Sequence, residues 1–256
     1  MPKRRIACRR DSYLPFVERA FPHMASLGFR HTEIPFPAPE EFDAIRDSLS
    51  SHGLSATSLH GEIEVGQDDV ELQVEAQKPV FEALGCHVLF VSVRLGDTPL
   101  DLACERLRRA GQAAAEAGLT IVLETHPELV TNGDVALDTM RRIDHPNVRI
   151  NFDTANIYFY NEGLAAVSEL QKIAPFVAAV HLKDTDGGYR HWHFPALGEG
   201  VVDFPGVFAA LDAAGFEGVY TLEIEGLDRE TKDEQVLCAR IQKSVEYLRG
   251  IGVRLG

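Results

Sequence analysis

A short run of β-branched and apolar residues, followed by a helix-length stretch, recurs along this chain, in most units about every 25–32 residues. The runs are Arg5–Cys8, Phe29–Ile34, Leu54–His60, Cys86–Val93, Thr120–Glu124, Val148–Asp153, Val177–Leu182 and Gly218–Ile224. An apolar run bounded by polar residues reads as a parallel strand buried on both faces. The stretches between them read as helices near Tyr13–Leu27, Glu40–Ser51, Val70–Leu84, Leu100–Ala117, Asp134–Ile143, Leu164–Ile173 and Phe204–Ala214. A long last helix is expected over Thr231–Arg249. Gly28, Gly53, Gly85, Gly118 and Gly215 each follow a helix, where a left-handed C-cap favours glycine. Repeated strand–helix units without a second composition class predict an α/β chain, one closed (β/α)8 TIM barrel over residues 1–256. No Gly-x-Gly-x-x-Gly follows the first run, so a dinucleotide-binding open sheet is not supported.

The last four runs share a further property. At their last or next-to-last positions stand Glu124, Asp153, His181 and Glu223. In a barrel these residues share the end of the sheet that carries active sites. Three buried carboxylates without a cation would repel one another and take up protons. Oxygen ligands with one imidazole suit a divalent ion such as Mn, Mg, Co or Zn. The pattern therefore predicts one metal ion held by these four residues. Two glutamates on separate strands beside it suggest proton transfer next to a carbonyl, through a metal-stabilised enediolate.

Composition narrows the partners. The net charge of −14, from 39 acidic and 25 basic residues, argues against nucleic acid. No apolar stretch approaches the roughly 18–20 residues that cross a bilayer. The start, Met1-Pro-Lys-Arg-Arg, is basic but lacks the apolar stretch of a signal peptide, and its arginines read as solvated. Cys8, Cys86, Cys104 and Cys238 form no Cys-x-x-Cys pair and read as free thiols in a reducing cytoplasm.

Leu123-Glu-Thr-His126, Asn151-Phe-Asp-Thr-Ala-Asn156, Val180-His-Leu-Lys-Asp184, Leu197-Gly-Glu-Gly200 and Gly218–Glu223 resemble segments of the xylose isomerase-like barrel superfamily. That group includes sugar isomerases and epimerases, inosose and dehydroshikimate dehydratases, and abasic-site endonucleases. The resemblance covers nearly the whole chain and is most specific from Leu119 to Glu225. It implies a metal site at Glu124, Asp153, His181 and Glu223, with Glu124 and Glu223 as the acid/base pair. The expected activity is a sugar isomerase or epimerase. The alternative is a dehydratase of a keto-polyol such as an inosose or dehydroshikimate. A non-catalytic sugar-binding barrel and an abasic-site endonuclease rank below these. The chain departs from the ketose 3-epimerases in carrying Asn156 and Val130 where they have His and Glu, and from the dehydroshikimate dehydratases in the same Asn156, where they too have His. It departs from the endonucleases in its fourth strand end, Val91-Ser-Val-Arg94, which lacks a histidine.

Further residues are candidates for touching a sugar-derived substrate. His60 and Glu33 end strands, His126 follows Glu124 by two residues, and Asn156 holds the family's histidine position. Lys183 follows His181 by two and can neutralise an oxyanion. His191 and His193 flank Trp192 in a long loop rich in glycine and ionisable residues. Such loops are usually functional, and this one reads as a lid or as a source of a second-metal ligand. Glu199 reads as loop geometry or a supporting carboxylate. A homodimer is expected by analogy with barrels of this group, with the last helix as a candidate interface.

Overall fold

Eight parallel strands hydrogen-bond in sequence order and close into a barrel. They are β1 (Arg5–Arg9), β2 (His31–Pro35), β3 (Ser55–His60), β4 (Val88–Val91), β5 (Thr120–Glu124), β6 (Val148–Asp153), β7 (Val177–Leu182) and β8 (Val219–Leu222). Closure runs from Arg5 opposite Val219 to Cys8 opposite Leu222. The computed structural model describes residues 4–226 and 231–255; Met1-Pro-Lys of the basic start lies outside the described residues. No helix among the described residues is long and apolar enough to cross a membrane.

Alternation along each strand sorts the side chains. Ile6, Cys8, Ile121, Leu123, Phe152, Val180 and Leu222 face outward and join the main core under the helices. Ala7, Phe90, Val122, Ala179 and Val219 face inward and form a separate small cluster inside the barrel. Two residues further along the same faces stand Arg9, Ser92, Glu124 and His181, and four residues beyond Val219 stands Glu223. The polar residues are thus the next layer above a packed apolar floor, at the C-terminal ends of the strands where barrel active sites lie.

The surrounding helices are α1 (Ala20–Leu27), α2 (Phe42–Ser51), α3 (Val70–Leu84), α4 (Leu100–Glu116), α5 (Gly133–Ile143), α6 (Asn156–Tyr160), α7 (Ala166–Ile173), α8 (Phe204–Ala213) and α9 (Glu234–Gly250). Gly28 and Gly85 cap α1 and α3 in the left-handed region, at φ 93° and 62°. The first expected helix is shorter than its sequence suggested. Two 3₁₀ turns, Arg10–Tyr13 and Val17–Arg19, precede α1. Pro15 supplies no N–H and keeps Leu14 extended, so a continuous helix cannot form there. The last helix starts at Glu234, where Asp233 accepts the Gln235 N–H. Arg4 is not simply solvated: it pairs with Asp212 and lies over the Phe208 ring.

The long connection from β7 to α8 is built around one buried side chain. Asp184 accepts backbone N–H bonds from Thr185, Gly198, Gly200 and Val202 at 2.8–3.1 Å. Gly200 passes so close to Asp184 and Thr185 that a Cβ would collide with both. Glu199 points away and pairs with Lys243 on α9, so this Gly-Glu-Gly acts through its backbone. Asp184→Ala would leave these donors without their acceptor. It should destabilise the fold by about 3 kcal/mol or more, read as a fall in the urea midpoint at constant slope. A change below about 1 kcal/mol would show that the loop is held by other contacts.

Candidate metal centre

Glu124, Asp153, His181 and Glu223 are buried together at the barrel mouth, and one ligating atom from each lies within 4.8 Å of the others. Glu124, Asp153 and His181 sit at or near the ends of β5, β6 and β7, and Glu223 is the residue after β8. Register keeps them level: Asp153 stands opposite His181, and the Glu223 N–H donates to the Leu182 carbonyl at 3.1 Å.

The side chains converge on one point. Asp153 Oδ2, His181 Nδ1 and Glu223 Oε2 are buried and make no aligned hydrogen bond. His181 Nδ1 lies 2.9 Å from Glu223 Oε2 and 3.9 Å from Asp153 Oδ2. Lys183 faces the two carboxylate oxygens and the three atoms otherwise have one another, a donor set of two oxygens and an imidazole nitrogen that a divalent cation would ligate at once. Their other atoms are spoken for. Asp153 Oδ1 accepts the Ala155 and Asn156 N–H groups at 2.8 Å, which opens α6, a helix without a clear signal in the sequence. His181 Nε2 lies 3.1 Å from Glu33 Oε1, and Ser58 donates to Glu33 Oε2 at 2.6 Å. A carboxylate behind an imidazole fixes the ring and its tautomer, as behind metal-binding histidines generally. These residues therefore fit a divalent ion. Glu33→Ala should weaken divalent-metal affinity by about 10–100-fold, read by competition with a chelating dye; unchanged affinity would show that His181 needs no such support.

Two fixed cations balance the acids. Lys183 is buried, with Nζ 2.9 Å from both Asp153 Oδ2 and Glu225 Oε2, 3.4 Å from Glu223 Oε2, and over the Phe194 ring. Arg9 donates from Nη1 to Glu223 Oε1 at 2.9 Å and lies 3.6 Å from Glu33. The glutamates consequently differ. Burial, and then the charge of Glu223, push Glu124 up to about 7. Burial would also raise Glu223, but Lys183, His181 and Arg9 outweigh it and hold Glu223 well below the usual carboxylate range. Burial pushes Asp153 up to about 6 against the pull of Lys183.

The remaining expected residues divide into those facing this centre and those around it. His126 Nδ1 is 3.1 Å from Glu124 Oε2, with its ring edge-on to Tyr160. Burial, and then Arg94, bring His126 down to about 3. His60 touches Arg9 and Ser92. Asn156 supports the frame, donating from Nδ2 to the Thr125 carbonyl at 3.0 Å. Glu33 stands behind His181. His191 is exposed and pairs with Asp186, while Trp192 between the two histidines packs on Phe159 and Phe194. Neither His191 nor His193 joins the four-residue cluster.

Arg9, Ser92 and Phe90 were not anticipated as site residues. Arg9 follows Cys8 in a basic stretch, and the apolar run stops before it, although the strand continues through Arg9, because the strand's inward face changes from Ala7 to a charge. Phe90 underlies the centre, its ring 4.6 Å from His60 and 4.7 Å from His181. A cavity of about 880 Å³ opens beside His60 and Ser92, with Arg94 and Arg106 on its wall.

Residues 21–249 match the family model described as xylose isomerase-like TIM barrel. The inosose dehydratase of Geobacillus thermodenitrificans (strain NG80-2) is 29% identical, the match covering 81% of this chain and 82% of that protein. A xylose isomerase domain protein from Planctomyces limnophilus superposes with a TM-score of 0.77 at 19% identity, over 98% of each chain. A D-allulose 3-epimerase from Methylomonas sp. superposes with a TM-score of 0.74 at 20% identity, over 97% of this chain and 98% of that one. The two structural likenesses speak to fold alone. The closed barrel, the acidic centre at its mouth and the family match over most of its length agree, and the chain belongs to the xylose isomerase-like TIM barrel family.

Proposed function

We propose that this protein is a metal-dependent lyase that removes water from a keto-polyol of the inosose class. The observation that carries the reading is the inequality of the two glutamates: Arg9 Nη1 grips Glu223 Oε1 at 2.9 Å, and among the described residues no guanidinium pairs with Glu124. Isomerisation or epimerisation by a glutamate pair asks both carboxyl groups to give and take protons. Glu223, clamped by Arg9 and faced by Lys183, is a poor proton donor. Dehydration asks this of one group only. The relative of Geobacillus thermodenitrificans, an inosose dehydratase, supports the same choice.

A divalent ion held by Glu124, Asp153, His181 and Glu223 would supply Lewis acidity toward the substrate ketone and its neighbouring oxygen. Glu124 takes the proton from the carbon next to the ketone. The C–H electrons form the new C=C bond, and the C–O bond at the next carbon breaks. The proton leaves Glu124 on the departing hydroxyl as water, so no redox partner is needed. Lys183 offers a fixed positive charge to the developing oxyanion. His126 holds a substrate hydroxyl beside Glu124, and His191 and His193 serve recognition from the β7–α8 loop.

Incubating the Mn-loaded protein with an inosose should generate an unsaturated-ketone absorbance without a new epimer. The second reading, a sugar isomerase or epimerase, is favoured by the close approach of Glu124 and Glu223 within one cluster. Epimer formation with solvent deuterium at carbon, and no absorbance, would replace the first reading by the second.

A further inference from the structure

A line of hydrogen bonds runs from Glu223 to Glu124 through residues carried on β1, on β3 and just beyond β4. Arg9 donates from Nη1 to Glu223 Oε1 at 2.9 Å, and its Nη2 lies 3.1 Å from His60 Nδ1. On the other side of the ring, His60 Nε2 lies 3.5 Å from Ser92 Oγ. Ser92 Oγ in turn donates to Glu124 Oε2.

Chemistry fixes the direction of this line. A guanidinium has donors only and keeps its charge in proteins. His60 Nδ1 must therefore accept. A neutral imidazole that accepts at Nδ1 carries its hydrogen on Nε2, the atom that faces Ser92. Ser92 Oγ accepts it and spends its own hydrogen on Glu124. The floor residue Phe90 lies 4.6 Å from the His60 ring and 5.4 Å from the Arg9 guanidinium, and so packs beneath both. Burial, and then the charge of Arg9, bring His60 down to about 4, which agrees with a neutral ring.

We infer that Arg9, His60 and Ser92 are positioning residues, a hydrogen-bond line directed one way from Arg9 to Glu124, that sets the Glu124 carboxylate against the Glu223 clamped by the same guanidinium. From Arg9 onward every link donates toward Glu124, while the other arm of the guanidinium donates to Glu223, so the Glu124 carboxylate cannot turn without giving up the Ser92 bond. The acid/base group then meets the substrate with the same edge at each turnover. Only the kinetic consequence rests on the lyase reading; the direction of the line does not.

The test is the tautomer of His60, read by ¹⁵N–¹H correlation of the imidazoles in Mg-loaded protein. Its signal is assigned among the ten histidines by contact with the Phe90 ring protons or by His60→Gln. We expect the neutral Nε2–H form. The Nδ1–H form, or an imidazolium at neutral pH, overturns the proposal. Arg9→Lys keeps a cation beside Glu223 but lacks the fork, and should convert His60 to a mixture of tautomers.

The kinetic arm uses the inosose. Ser92→Ala should lower kcat about ten- to hundredfold, with KM changed less than about twofold, because orientation is lost rather than binding. Ser92→Thr should restore most of it. Arg9→Lys and Ser92→Ala should combine non-additively, by threefold or more, and become additive in a His60→Phe background. Additivity with His60 present would sink the line. An Nε2–H tautomer without inosose turnover would remove the lyase reading and leave the line standing. Turnover with the Nδ1–H tautomer would do the reverse.

Discussion

Glu124→Gln should lower kcat for dehydration by about a thousandfold or more, with the metal still bound and KM close to that of the unaltered protein. Glutamine keeps a carbonyl oxygen that can accept the Ser92 hydroxyl and face the cation, so the frame around it survives. What is lost is a group able to hold a proton for part of the cycle. The magnitude follows from general acid–base catalysis, worth about 10²–10⁴ in rate. Glu223→Gln should behave differently. It removes the anion that the half-buried Arg9 grips at 2.9 Å and that the buried Lys183 faces at 3.4 Å, and leaves the Arg9 guanidinium without its closest partner. Metal affinity and folding stability should then fall together, by more than in Glu124→Gln. Metal analysis beside kcat and KM for both variants separates the roles. Residual activity within about tenfold in Glu124→Gln would remove Glu124 as the base and bring the epimerase reading forward.

The barrel and the four converging residues were legible because both depend on periodicity. Val148–Asp153 and Val177–Leu182 begin and end where their apolar runs do. Their last polar residue falls on the inward face by alternation alone, so Asp153 and His181 could be placed in one layer from sequence. The surrounding charges were not legible. Arg9 reaches Glu223 across the closure of β1 on β8, 214 residues away, and no local pattern links them. Ser92 lies in a strand end that reads as lacking a ligand, and its value as a donor emerges only when β4 sets it against Glu124. Glu33 shows a similar limit. Its place at the end of β2 was evident, but its partner His181 is 148 residues on and across the barrel, so a substrate contact and a support for His181 looked alike. The break of the first helix was legible in principle, since Pro15 sits inside the stretch read as helical. There the apolar pattern outweighed a known helix breaker.

Asp153→Asn should abolish stoichiometric metal binding while leaving the chain folded. Asn can keep the Asp153 Oδ1 role, accepting the Ala155 and Asn156 N–H groups that open α6. Alanine would remove that cap as well and confuse local structure with ligation, which makes Asn the sharper variant. At the second position an amide NH2 replaces the oxygen that faces His181 Nδ1 and Lys183. A donor now points where a cation needs an acceptor. Lys183 still has Glu225 at 2.9 Å and Glu223 at 3.4 Å, so it is not stranded. Unaltered protein should hold about one divalent ion per chain after gel filtration, and Asp153→Asn little or none at the same metal concentration. Activity should fall roughly a thousandfold or more, since Lewis-acid stabilisation is worth several kcal/mol and each ~1.4 kcal/mol is tenfold. Excess metal should restore part of it if only affinity is lost. Full binding and full turnover in this variant would mean that the ion, if the protein uses one, is held elsewhere. The convergence of Asp153, His181 and Glu223 would then be a charge network completed by Lys183 and Arg9 alone.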